Sequence, residues 1–169
     1  MLLVGIIEEL AKLIVPVVVL AITRGRDVRA GVVIGVASGM GFATLETMGY
    51  GFNALLGQGG GLAAVDSTLL LRGLLAPAGH VAWTGLICAA MWRVPSARHR
   101  RGRATSMVVG AYVLAVALHA TWDGSSSSVV RALVALVSTI LLLVVAHRAA
   151  RLRRVPYVIP SGEAPHEHP

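Results

Sequence analysis

The chain has 169 residues, of which 56% are hydrophobic and only 14% charged. Soluble domains carry about 25% charged residues, so this composition excludes an ordinary water-soluble fold. The formal net charge of +7 does not mark a nucleic-acid partner. The arginines lie in short clusters between long apolar runs, as in a membrane protein at its cytoplasmic face.

A helix needs roughly 20 mostly apolar residues to cross the hydrocarbon core of a bilayer. Taken in chain order, the stretches that qualify are about 2–23, 28–56, 73–92, 105–122 and 129–146. The sequence therefore predicts an all-α, polytopic transmembrane bundle of about five spans. The first span carries Glu8, Glu9 and Lys12. It does not read as a signal peptide, because it lacks a basic leading region and charges interrupt its apolar run.

The intervening segments predict the direction of insertion. Those around Arg24–Arg29, Arg93–Arg103 and Arg148–Arg154 hold most of the chain's basic residues, whereas 57–72 and 123–131 hold one arginine each. This asymmetry places the N-terminus outside and the C-terminus in the cytoplasm. The glycine-rich run after Gly57 reads as a flexible outer loop, and Asp123 with the serines after Gly124 as a tight outer turn. Residues 1–154 are expected to form one transmembrane domain. Residues 155–169, with His166 and His168, read as a disordered cytoplasmic tail.

In the second span Gly31, Gly35, Gly39, Ala43, Thr47 and Gly51 recur every four residues. Such a small-residue stripe lets another helix approach closely and marks a packing seam. Cys88, the single cysteine, lies in an apolar run and reads as a packing residue.

Ionisable groups inside a span cost about 2.5–3.5 kcal/mol each on insertion scales, so they usually face the bundle interior and serve function. Here they are Glu8, Glu9, Lys12, Glu46, His80 and His119, with Asp123 at the end of the fourth span. At a rise of about 1.5 Å per residue they all fall in the outer leaflet, although neighbouring spans run in opposite senses. This convergence is the main physical sign of a site. Lys12 is four residues from Glu8 and three from Glu9, so both pairs can meet on one helix face. A salt bridge alone leaves the second carboxylate unexplained. One negative charge remains that other donors or a cation must support, and a carboxylate in such a place suits general-base chemistry on water. Pro16, one turn after Lys12, removes a helix hydrogen bond and frees a carbonyl near the acids. Trp83, Trp92 and Trp122 read as belt or packing residues.

Together these residues carry a family resemblance. Glu8-Glu9-Leu-Ala-Lys12 resembles the EExxK motif of the PrsW family of intramembrane proteases. Phe42-Ala-Thr-Leu-Glu46 is similar to that family's second motif. His80 and His119-Ala-Thr-Trp-Asp123 are similar to its later histidine motifs. The family is a distant relative of the CAAX prenyl protease and bacteriocin-processing (Abi) proteins. The chain departs from the pattern at Thr47 and Asp123, where relatives often have asparagine. Its first motif begins at residue 8, where relatives have earlier helices, which implies a short variant or a truncated chain.

The resemblance implies an endopeptidase that hydrolyses membrane-anchored proteins near the outer leaflet of a bacterial plasma membrane. One of Glu8 and Glu9 would activate water and Lys12 would hold the pair. Glu46 and His80 would position the water, and His119, oriented by Asp123, would donate to the oxyanion. A zinc version is equally open, with Glu46, His80 and His119 as ligands and Glu8 or Glu9 as base. Single-span proteins such as an anti-sigma factor are the implied substrates. A small proton or cation transporter is the alternative from the residues alone, as is a non-enzymatic scaffold. A transporter would string polar groups to both faces, whereas this chain has them towards one.

Overall fold

The computed structural model describes residues 1–23, 27–57, 61–95, 97 and 99–152. The expected tail with His166 and His168, the middle of the glycine-rich loop, and Arg24, Arg26, Arg98, Arg153 and Arg154 lie outside the described residues. Among the described residues the regular structure is all helical. It comprises α1 (Leu2–Thr23), α2 (Val28–Leu56), α3 (Leu62–Ala76), a π-helical turn (Pro77–Val81), α4 (Ala82–Met91), α5 (Arg101–Gly124) and α6 (Ser128–Arg151).

Local chemistry explains the main boundaries. Asp27 caps α2 by accepting a hydrogen bond from the Arg29 backbone N–H at 2.9 Å, which satisfies one of the donors a helix start leaves free. Ser127 caps α6 in the same way through Val130. Arg131 donates from Nε and Nη2 to the Ser125 carbonyl, at 2.9 and 2.7 Å, and so ties the α5–α6 turn. Pro16 lies inside α1. Having no N–H, it leaves the Lys12 carbonyl without its helical donor. Ser38 of α2 supplies one instead, from Oγ at 2.6 Å.

The span expected at 73–92 begins earlier than its hydropathy implies, because α3 starts at Leu62 and the assigned outer loop 57–72 is mostly helix. Asp66, Arg72 and Gly73 lower the local hydropathy without breaking the helix. An interior glycine costs only about 1 kcal/mol, which packing can outweigh. His80 therefore lies in a π-helical turn between two helices, not seven residues into one continuous span. The last two helices extend beyond 105–122 and 129–146 into their flanking arginines.

α2, α5 and α6 are each long and apolar enough to cross a membrane, and Ala78–Met91 is a shorter apolar helix. The burial pattern suits a lipid solvent. Glu9, Lys12, His80, Thr84, His119 and Ser138 are buried, while large apolar side chains along α1 and α6 are exposed. Every residue of α4 is buried, so α4 is the innermost helix, with α2, α5 and α6 among its neighbours.

In the small-residue stripe of α2, Gly31 and Gly35 face α4 and its C-terminal end, Gly39 faces the π-helical turn, and Gly51 faces Leu69 of α3. A Cβ on Gly31 would lie 2.8 Å from the Cys88 carbonyl oxygen, one on Gly35 2.7 Å from that of Thr84, and one on Gly39 2.5 Å from that of His80. Close backbone approach of this kind replaces the hydrophobic drive that lipid removes. It also brings α2 against the π-helical turn that carries His80. π-helical turns occur frequently at functional sites.

Candidate active site

Glu8, Glu9 and Lys12 come from α1, Glu46 from α2, His80 from the π-helical turn, and His119 and Asp123 from α5. The structure brings all seven into one connected cluster. Lys12 Nζ lies 2.7 Å from Glu9 Oε1 and 2.7 Å from His80 Nδ1. The same Glu9 oxygen lies 2.8 Å from His119 Nδ1. His119 Nε2 in turn lies 3.1 Å from Asp123 Oδ2 and 3.5 Å from Glu8 Oε2. Glu46 Oε2 lies 2.9 Å from His80 Nε2.

These neighbours assign the imidazole protons. His80 accepts from the Lys12 ammonium at Nδ1, so its proton is on Nε2, facing Glu46. His119 donates from Nδ1 to Glu9, and its Nε2 lies between two acidic side chains, a place for a proton or a cation.

The two adjacent glutamates differ. Glu9 is 0% exposed, and its Oε1 serves both Lys12 and His119. The Glu8 side chain is 22% exposed and lies 3.8 Å from Lys12 Nζ. Its nearest approach to His119 is likewise long, 3.5 Å from Oε2 to Nε2. Glu9 is thus a buried anchor, and Glu8 is the carboxylate with an open face.

Aromatic rings wall the cluster. Trp83 stacks on His119 with ring centroids 4.9 Å apart and meets His80 edge-on at 5.5 Å. Its indole N–H donates to Ser138 of α6 at 2.9 Å. Lys12 Nζ lies 4.4 Å from the Phe42 ring centroid, a cation–π contact. Trp83 is 1% exposed, so the tryptophan expected in a belt or packing role packs against the site itself.

Arg72 belongs to the cluster and was not expected there. Its Nη2 lies 2.8 Å from Glu46 Oε2, and its guanidinium carbon 3.8 Å from the Tyr50 ring centroid. The signal was Tyr50, four residues after Glu46 and so on the same helical face. Reading 57–72 as loop concealed it.

The cluster fits a divalent cation. Glu8, His80 and His119 each offer a ligand atom within 4.8 Å of the others. Two imidazoles with a carboxylate are a common catalytic zinc set. Among the described residues, the carboxylates of Glu8, Glu9, Glu46 and Asp123 face Lys12 and Arg72 as their fixed cations. With neutral histidines the group is short of positive charge, which a membrane interior penalises. In this set Glu8 stands where the sequence suggested Glu46, and Glu46 is engaged by Arg72 and His80. Both ring nitrogens of His80 are engaged, so it would release one contact to bind an ion.

The searches of curated proteins and of solved structures found no match. A family model described as PrsW family intramembrane metalloprotease matches residues 1–148. That match runs through every helix contributing to the cluster. The chain therefore belongs to the PrsW family of intramembrane metalloproteases and is a multi-pass membrane peptidase acting on membrane proteins.

Proposed function

We propose that the cluster hydrolyses peptide bonds of single-span membrane proteins near the outer leaflet of a bacterial plasma membrane, with Glu8 as the water-activating carboxylate. The observation that carries this reading is the contrast between the two glutamates. Glu9 is wholly buried and its Oε1 is committed to Lys12 and His119 at 2.7 and 2.8 Å, whereas the Glu8 side chain is 22% exposed and meets the same two residues only at 3.8 and 3.5 Å. Glu8 takes the proton of the attacking water. His119, held by Glu9 at Nδ1 and carrying a second proton at Nε2 beside Asp123, passes that Nε2 hydrogen bond from Asp123 to the developing oxyanion. Lys12 holds Glu9 and the tautomer of His80.

Glu8, His80 and His119 are the residues that would hold a divalent metal in place of the His119 Nε2 proton, zinc by its preference for imidazole and carboxylate, with Glu8 and His119 then ligands instead of base and donor. Such an ion would supply a more acidic bound water and a Lewis acid for the carbonyl. The bundle through residue 154 is the catalytic unit. It has five membrane passages, with α3, the π-helical turn and α4 counted as one. The N-terminus is outside, and the arginine-rich segments are cytoplasmic by the positive-inside rule. An anti-sigma-factor-like protein, anchored by one span, is a substrate of suitable form.

The test is reconstitution of the purified chain with a doubly tagged single-span protein in proteoliposomes, followed by mass analysis of the fragments. Cleavage in the outer part of the span, absent in Glu8→Gln, supports the reading. Equal cleavage by Glu8→Gln contradicts it.

A further inference from the structure

The Arg72 guanidinium is held from two directions. Its edge meets Glu46 at 2.8 Å, and its face lies over Tyr50 at 3.8 Å. Glu46 and Tyr50 are one turn apart on α2, and Arg72 reaches them from α3, which packs against α2 and the π-helical turn. The Glu46 oxygen that meets Arg72 is also the one 2.9 Å from His80 Nε2, and His80 Nδ1 is 2.7 Å from Lys12 Nζ. A chain of contacts thus runs from α3 through Glu46 and His80 to Lys12. Without Arg72, Glu46 would keep one partner, His80, and could turn away from it. A planar guanidinium can stack and pair at once, whereas the point charge of a lysine cannot match both contacts.

We propose that Arg72 is a positioning residue for peptide hydrolysis. Seated on Tyr50, it holds Glu46 in the orientation that fixes the ring of His80 from the Nε2 side, opposite Lys12 at Nδ1. This proposal rests on the reading of the cluster as the hydrolytic site.

The test measures kcat and KM in proteoliposomes with a fluorogenic single-span peptide that the wild-type chain cleaves. The variants are Arg72→Gln, Arg72→Lys, Tyr50→Leu, Glu46→Gln and the Arg72→Gln/Glu46→Gln double variant. Asp66→Asn, exposed on α3, is the control. Arg72→Gln is expected to lower kcat about tenfold or more with KM within about twofold, because the lost interaction orients the reacting groups. Arg72→Lys recovers part of the loss, and Tyr50→Leu loses kcat in the same manner. Arg72→Gln adds nothing in the Glu46→Gln background, since a residue acting through another is non-additive with it.

Wild-type kcat in Arg72→Gln overturns the proposal, as does a loss that multiplies with that of Glu46→Gln. If Arg72→Gln does not fold, Tyr50→Leu decides, since it removes the seat and keeps both charges. Wild-type kcat there overturns the proposal equally. Failure of the underlying site reading is distinguishable, because Glu46→Gln alone would then be fully active.

Discussion

His119 and Glu9 meet across α5 and α1, Nδ1 to Oε1 at 2.8 Å, with 1% and 0% of their side chains exposed. A carboxylate and an imidazole buried this completely hold each other in place. Glu8, the next residue along α1, touches the other nitrogen of the same ring at 3.5 Å while remaining partly open. Two adjacent glutamates thus take different parts in one arrangement.

This division predicts different defects. Glu8→Gln should leave a folded protein with cleavage reduced about 100-fold or more, the range of general-base contributions. Glu9→Gln should lose activity and stability together, because Lys12 and His119 lose a shared anionic partner. Specific activity and thermal midpoint in detergent, measured side by side, check the split. A fully stable Glu9→Gln would contradict the anchor role.

Lys12 provides a second test. Its ammonium contacts Glu9, His80 and the Phe42 ring. Lys12→Met keeps length and removes charge, leaving Glu9 buried with His119 alone. Breaking a buried pair on one side costs about 3–5 kcal/mol. The unfolding midpoint in detergent should fall accordingly, while the exposed-site variant Asp66→Asn should not change it.

The α2–α4 seam gives a third. A Cβ at Gly35 would lie 2.7 Å from the Thr84 carbonyl oxygen of α4, and one at Gly39 2.5 Å from the His80 carbonyl oxygen of the π-helical turn, so Gly35→Val and Gly39→Val should prevent a monodisperse bundle in detergent. Gly41 has open space around its Cβ position, and Gly41→Ala should behave as wild type. Size-exclusion profiles distinguish these outcomes.

The cation reading yields a fourth. A zinc chelator should abolish cleavage, and added zinc should restore it. The purified chain should hold about one metal ion, the stoichiometry of a single three-ligand site. That content should fall in His80→Ala and His119→Ala. Undiminished cleavage in chelator would favour the metal-free version of the same chemistry.

Much of this arrangement was readable in the residues. Charged and imidazole groups inside apolar helices are costly, so Glu8, Glu9, Glu46, His80 and His119 could be singled out from the residue pattern alone, and their contacts bring them together. The carbonyl freed by Pro16 was likewise foreseen, although not its partner, Ser38. Arg72 was missed because hydropathy averages over a window, and its charge helped push α3 into an apparent loop. Trp83 was readable as apolar but not as the wall behind His119, because which face a buried indole presents depends on tertiary packing. The choice of Glu8 over Glu46 beside the two histidines also needed coordinates. Sequence spacing places residues on helices without saying which carboxylate a partner on another helix has already engaged.

The claim on which the rest depends is that α1, α2, the π-helical turn and α5 build one hydrolytic centre. It is tested most directly by cleavage of the reconstituted single-span substrate with Glu8→Ala, Glu46→Ala, His80→Ala and His119→Ala, each confirmed folded by its thermal midpoint. Every variant is predicted to lose about 100-fold or more of the wild-type rate. Wild-type cleavage by any folded Glu8→Ala or His119→Ala variant would contradict it.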